Sequence, residues 1–111
     1  MQFVNVIARE AEKKHLIHTV QENRISHAQM FLGPAGSGTV PLAIAYAQYI
    51  LCQNKQDNDS CGACASCAKI QKHNHPDLHF SFPIHLSKEK HVYISDNVLG
   101  VWREILDENP Y

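Results

Sequence analysis

The sequence predicts an α/β fold in which a small parallel sheet is flanked by helices and carries an inserted four-cysteine module. Three observations lead there. Apolar residues recur first at helical and then at strand-like spacing along the chain. A GxxxxG pattern, Gly33 to Gly38 in "FLGPAGSG", stands between a short apolar run and a second helical stretch. Four cysteines then follow with C-x8-C-x2-C-x2-C spacing.

The elements follow in order. Val4, Ile7, Ala8, Ala11, Leu16 and Val20 recur at roughly helical spacing, with Arg9, Glu12, Lys13 and Lys14 between them, and predict an amphipathic helix to about Glu22. "HAQMFLG", residues 27–33, reads as a buried strand leading into the glycine loop. From Gly38 to Cys52 the pattern is helical again, with Val40, Ala43, Ile44, Ala47, Ile50 and Leu51 as the apolar face. Pro41 is tolerated because it falls in the first turn, where its missing N–H has no intrahelical partner to lose. "QNKQDNDS" is a polar surface loop, and "CGACASCAKIQK" a cysteine knuckle running into a short helix. "LHFSFPI", residues 78–84, alternates like a strand; "HLSKEK" is a charged turn; "HVYIS" offers a further short strand. Ser95 or Asp96 caps a final helix that buries Val98, Trp102 and Ile105, with Leu99 and Leu106 beside them. Two or three strands make a small sheet, so the chain reads as the beginning of a longer protein.

With 111 residues, 44% of them hydrophobic and 19% charged, the chain can build a core. Its net charge of −1 provides no global field for nucleic acid. Between Lys69 and His91 four lysines and five of the eight histidines face only Asp77 and Glu89. That stretch reads as a solvated loop, with an anionic partner as the alternative. "MQFVNVIARE" has neither the basic start nor the apolar run of a secretory signal, and no stretch approaches the roughly 20 apolar residues of a membrane span. A cytoplasmic setting is expected, in which the cysteines are reduced thiols.

Cys52, Cys61, Cys64 and Cys67 are the expected metal ligands. The CxxC spacing brings two thiolates to one ion through a tight turn, Gly62 eases that turn, and Cys52 swings in across an eight-residue loop. Four sulfurs suit tetrahedral Zn²⁺ in a closed structural site. Disulfides, a redox-active CxxC, an iron–sulfur cluster, and His73 or His75 in place of one cysteine are the alternatives.

The residues Gly33, Pro34, Ala35, Gly36, Ser37 and Gly38 match the glycine part of a phosphate-binding loop. Such a loop converges backbone N–H groups on phosphate oxygens, and its lysine and Ser/Thr then serve the outer phosphates and Mg²⁺. Here those two positions are Thr39, neutral and short, and Val40, without an oxygen. A degenerate phosphate loop that does not bind ATP is expected; a turn that resembles one by chance is the alternative.

"RISHAQMFLGPAGSG", then "LAIAYAQYILC", then "CGACASCAKIQKHNHPDL" together resemble the N-terminal AAA+ P-loop domain of bacterial DNA polymerase III clamp-loader subunits. The resemblance covers residues 3 to about 84 and is less distinctive from His85 to Tyr111. It implies a zinc module at about residues 52–72, inserted after the phosphate-loop helix, and an "HPD" segment at His75, Pro76 and Asp77 leading to the next strand. Residues 1–111 would be the N-terminal part of that domain. The Walker B residues, the serine–arginine–cysteine motif and the collar would lie outside it. Within the family, Thr39 and Val40 resemble the nucleotide-free delta-prime type rather than the ATP-hydrolysing gamma/tau type. Val6, Ile7, Ala8, Arg9 and Glu10 likewise depart from the "viGQe" segment of ATP-binding members. The resemblance implies a non-hydrolysing subunit that helps load the sliding clamp onto primed DNA, partnered by gamma/tau and delta and without catalysis of its own. The rivals are a gamma/tau-type ATPase with an atypical loop and a zinc module that binds nucleic acid. The second would need stacking aromatics, whereas Phe80, Phe82 and Tyr93 sit in strand-like segments and read as core. Asp77 reads as a turn residue and Trp102 as core.

Overall fold

A computed structural model describes residues 1–83 and 95–111. A short 3-10 turn, Phe3–Asn5, precedes α1 (Glu10–Gln21), α2 (Thr39–Leu51), α3 (Ala65–Gln71) and α4 (Ser95–Glu108).

Helix α2 is the hub. Its sequence, TVPLAIAYAQYIL, has no charged side chain, so it can be covered on more than one side. On one side Leu42, Ala45, Tyr46 and Tyr49 pack with Phe3, Val6, Leu16 and Ile17. On the other Ile44 meets Ile70 and Leu106, with Leu78, Phe80 and Trp102 against them. The face expected at Val40, Ala43, Ile44, Ala47, Ile50 and Leu51 is therefore corrected: only Ile44 of that set is fully buried, and Val40 is 39% exposed. A helix clasped from two sides has no single apolar stripe. Its one buried amide, Gln48, is paired at both ends, with Oε1 accepting the Met1 amino group at 2.8 Å and Nε2 donating to Ser60 Oγ at 3.0 Å.

The first helix is shorter than its periodicity suggested. Ala8 and Arg9 have left-handed φ values of 58° and 66°, and α1 begins only after them. Phe3 and Val6 turn back into the core instead, which leaves Val4 and Ile7 76% and 75% exposed. The buried face of α1 is Lys13, Leu16 and Ile17. Lys13 is tolerated there because its ammonium donates to Val6 O at 2.7 Å and to Glu10 at 2.9 Å.

The expected sheet is corrected among the described residues. Neither 27–33 nor 78–83 pairs as a strand. In the first segment Met30 and Leu32 are 85% and 88% exposed while Phe31 tilts onto Tyr46, an alternation without a ladder partner. A β-strand is a pairing, so the period-2 pattern alone does not make one. In the second, Phe80 and Phe82 pack on Trp102, with the Phe82 ring stacked at 4.5 Å. The strand expected at "HVYIS" lies outside the described residues.

Helix α3 follows the knuckle as expected, and α4 starts at Ser95. Among the described side chains of α4, Leu106 is buried and Ile105 is 51% exposed, so Ile105 as a core residue is corrected; Val98 and Leu99 lie outside the described side chains. His73, Asp107 and Arg103 clamp α3 to α4: His73 Nε2 lies 3.2 Å from Asp107 Oδ1, and Arg103 Nε donates to His73 O at 2.9 Å. No described helix is long and apolar enough to cross a membrane.

Candidate functional site

Two constellations flank α2, one at each end. At its C-terminus the chain turns extended at Cys52, and the loop to Cys61 brings the knuckle beneath it. Gly62, at φ +74°, makes the turn between Cys61 and Cys64 in a conformation that side chains rarely adopt. The sulfurs of Cys52, Cys61, Cys64 and Cys67 all lie within 4.8 Å of one another. Cys52 to Cys61 is 3.6 Å, Cys61 to Cys67 is 3.9 Å and Cys52 to Cys64 is 4.0 Å. Four ligands on a tetrahedron of radius about 2.3 Å would be about 3.8 Å apart, so the set fits a Zn²⁺-sized ion. The thiols are free, and the separations are far beyond a disulfide bond of about 2.05 Å.

Neither histidine considered as a replacement ligand joins the set. His75 accepts the Asp77 N–H at Nδ1 (3.0 Å), and its Nε2 faces Ser66 Oγ at 3.3 Å. His73 faces Asp107. Asp77 sits in the turn after Pro76, as a turn residue should.

Backbone N–H groups favour the thiolate form at two of the knuckle sulfurs. The N–H groups of Ala63 and Cys64 point at Cys61 Sγ, at 3.5 and 3.3 Å, and hold that thiol below its ordinary pKa. Cys64 Sγ receives the Cys67 N–H at 3.4 Å and, together with a Gln53 N–H, this lowers its pKa to about 6. Burial pushes Cys67 up to about 12. Cys64 is thus a thiolate at neutral pH and Cys67 a thiol that must lose its proton to ligate. Lys55 Nζ donates to Cys52 O at 2.9 Å, which places a cation on the last carbonyls of α2 beside the sulfurs.

At the other end of α2 lies the glycine loop. Gly36 and Gly38 take left-handed φ values of 78° and 85°, which only glycine adopts without cost. A Cβ on Gly33 would run into Ser37 Oγ and lie 3.1 Å from Thr39 Cγ2, so any other residue there would have to displace those side chains. The loop closes on itself through Ser37 N–H to Pro34 O at 3.1 Å, and no side chain caps the first turn of α2. Thr39 and Val40 open the helix there, without the ammonium or the metal-binding hydroxyl that a triphosphate would need.

Several site residues went unnoticed in the sequence. Arg9 donates from both Nε and Nη2 to Ser37 O, each at 3.2 Å, and so braces the loop from the N-cap of α1. Asp59 accepts the N–H groups of Phe3 and Val4, both at 3.0 Å, and that of Ser60 at 2.8 Å. Gln2 Nε2 donates to Ser60 O at 2.7 Å. An Asp–Ser pair just before a ligand is a turn-former by type, which was the one available signal for Asp59. Arg9 stood out in the sequence only within the segment that departs from "viGQe", and nothing local marks its contact with Ser37.

The family model described as "DNA polymerase III, delta subunit" matches residues 8–106. DNA polymerase III subunit delta' of Bacillus subtilis (strain 168) is 35% identical over 77 residues, which is 69% of this chain and 23% of that protein. Subunit delta' of Escherichia coli (strain K12) is 35% identical over 68 residues, covering 61% of this chain and 20% of that protein. The tau/gamma subunit of Haemophilus influenzae is 28% identical over 109 residues, covering 98% of this chain and 14% of that protein. The aligned stretch is thus less than a quarter of each of these relatives. No solved structure matches.

Proposed function

The chain belongs to the DNA polymerase III delta-subunit family and is of the delta-prime type, and from that premise we propose that it is the N-terminal part of a clamp-loader subunit that does not hydrolyse ATP. Residues 1–111 form the first part of an AAA+ domain with a zinc module at about 52–72. The remainder of that domain and the collar belong to the longer protein. The subunit works as a fixed member of a ring with gamma/tau and delta, and through that ring serves the sliding clamp and primed DNA.

The observation that carries this reading is the pair Thr39 and Val40 behind a loop that otherwise has the glycines of a phosphate site. The loop's left-handed glycines and the uncapped start of α2 support a phosphate-loop ancestry. The missing ammonium and hydroxyl remove the groups that hold Mg·ATP and act on its outer phosphates. The four cysteines hold Zn²⁺ as a structural ion that ties the C-terminal end of α2 to α3.

Calorimetry with Mg·ATP tests the loop, comparing the wild type with the double variant Thr39→Lys/Val40→Thr. No binding by the wild type and a gain by the variant is the expected pair of results. Micromolar binding by the wild type would overturn the reading in favour of a gamma/tau-type ATPase.

A further inference from the structure

The segment from Gln2 to Arg9 touches both constellations. At its start, Asp59 and Ser60, which run directly into Cys61, accept from Phe3 N, Val4 N and Gln2 Nε2. The Gln2 side chain lies so close to Gly62 that a Cβ there would meet it at 2.9 Å. In its middle, Phe3 and Val6 are each 2% exposed in the α1–α2 core, and the buried Lys13 ammonium holds Val6 O. At its end, the Arg9 guanidinium grips Ser37 O.

We propose that residues Gln2–Arg9 are a strap through which metal occupancy at the four cysteines holds the Gly33–Gly38 loop in shape. The proposal rests on the reading of those cysteines as a metal centre. Metal fixes Cys61 against Cys52, and with Cys61 it fixes the Asp59–Ser60 turn that anchors the strap. Without metal, nothing but the loop itself ties Cys61 to Cys52, 3.6 Å away, and the turn loses its reference point. The far end of the strap is poised to respond. Ala8 and Arg9 both occupy the left-handed region, which L side chains leave unless something holds them there. The Arg9 side chain is 40% exposed, and its guanidinium is held by the Ser37 carbonyl and Glu12, while its carbonyl accepts the Lys13 N–H at 2.9 Å. Release at Asp59 therefore relaxes the left-handed pair and withdraws the brace from the loop.

Residue-resolved amide exchange tests this on the chain loaded with Zn²⁺, on the same protein after chelation, and on zinc-loaded Asp59→Ala and Arg9→Ala. The amides of Phe3, Val4 and Ser37 report on the strap and the loop, and those of mid-α2 on overall folding. Chelation and Asp59→Ala should each speed exchange at all three reporters by about tenfold or more, with mid-α2 unchanged. Asp59→Ala should do so while keeping one zinc per chain by metal analysis. Arg9→Ala should speed Ser37 and leave Phe3 and Val4 protected. If chelation unfolds mid-α2 as well, the zinc-loaded Asp59→Ala protein decides on the same criterion. The proposal is overturned if Ser37 keeps its protection when Phe3 and Val4 lose theirs. If the wild type takes up no zinc, the metal reading and the strap fall together, and metal content separates that failure from the first.

Discussion

Cys64 is the residue on which the knuckle depends most, because it is one of the four proposed ligands, caps α3 by accepting the Cys67 N–H, and carries the thiol with the pKa lowered to about 6. Cys64→Ser should abolish stoichiometric zinc and expose residues 53–72 to protease while leaving the α1–α2 core folded, as metal analysis and limited proteolysis would show. The two shifted thiols also set a pH dependence. Cys64 is already ionised at pH 7, whereas Cys67, raised to about 12 by burial, gives up a proton when it ligates. Falling pH therefore opposes binding. Apparent zinc affinity should drop about tenfold per pH unit for each proton released, and below pH 6 more steeply as Cys64 also protonates. Chelator competition at several pH values measures both limbs, and a flat profile between pH 6 and 8 would contradict the assignment. Ala8 makes the opposite kind of prediction. At φ 58° it is a side chain in glycine's territory, so Ala8→Gly should raise stability by about 1 kcal/mol in chemical denaturation.

At the scale of elements, α2 is the member that every other element leans on. Tyr49 is 1% exposed, meets Phe3 edge-on at 5.8 Å and donates its hydroxyl to Gln56 O at 3.0 Å. Tyr49→Ala should therefore cost about 3–5 kcal/mol, read from the denaturation midpoint, and should loosen the cysteine loop as well. How far such elements were legible in the sequence depended on whether their cause was local. The limits of α2, Pro41 in its first turn, the knuckle, α3 and the start of α4 all follow from neighbouring residues, and the sequence shows them. The buried face of α2 does not, since two separate cores cover an uncharged helix and periodicity has nothing to select. The late start of α1 goes with an N-terminal segment tied by Asp59 and Arg9 to partners 55 and 28 positions away, which no window of sequence contains. The strands failed for a related reason: residues 27–33 have the alternation of a strand, but pairing is a property of two segments and no described segment supplies the second. The clustering of the four cysteines was legible because CxxC spacing is itself a geometric constraint. Their supporting residues Gln2, Asp59 and Gln48 were not, because their roles exist only once the N-terminal turn is folded against the knuckle.

At the scale of the whole molecule, the proposed reading expects no ATP turnover. Purified chain incubated with Mg·ATP should release no phosphate above a blank, because Thr39 and Val40 stand where a phosphate loop would carry its lysine and metal-binding hydroxyl; sustained turnover that survives repurification would argue for the ATPase alternative. Its behaviour as a solute follows from a feature described with the fold. Met30 and Leu32 stand out side by side at 85% and 88% exposure on an extended stretch, and no described backbone hydrogen bond uses residues 27–33. With a net charge of −1, little repulsion keeps two such surfaces apart at pH 7. The chain should therefore be colloidally fragile, with light scattering that climbs with concentration and with near-neutral pH. Met30→Lys, which adds charge to the sticky stretch without touching either core, should raise the concentration at which turbidity begins.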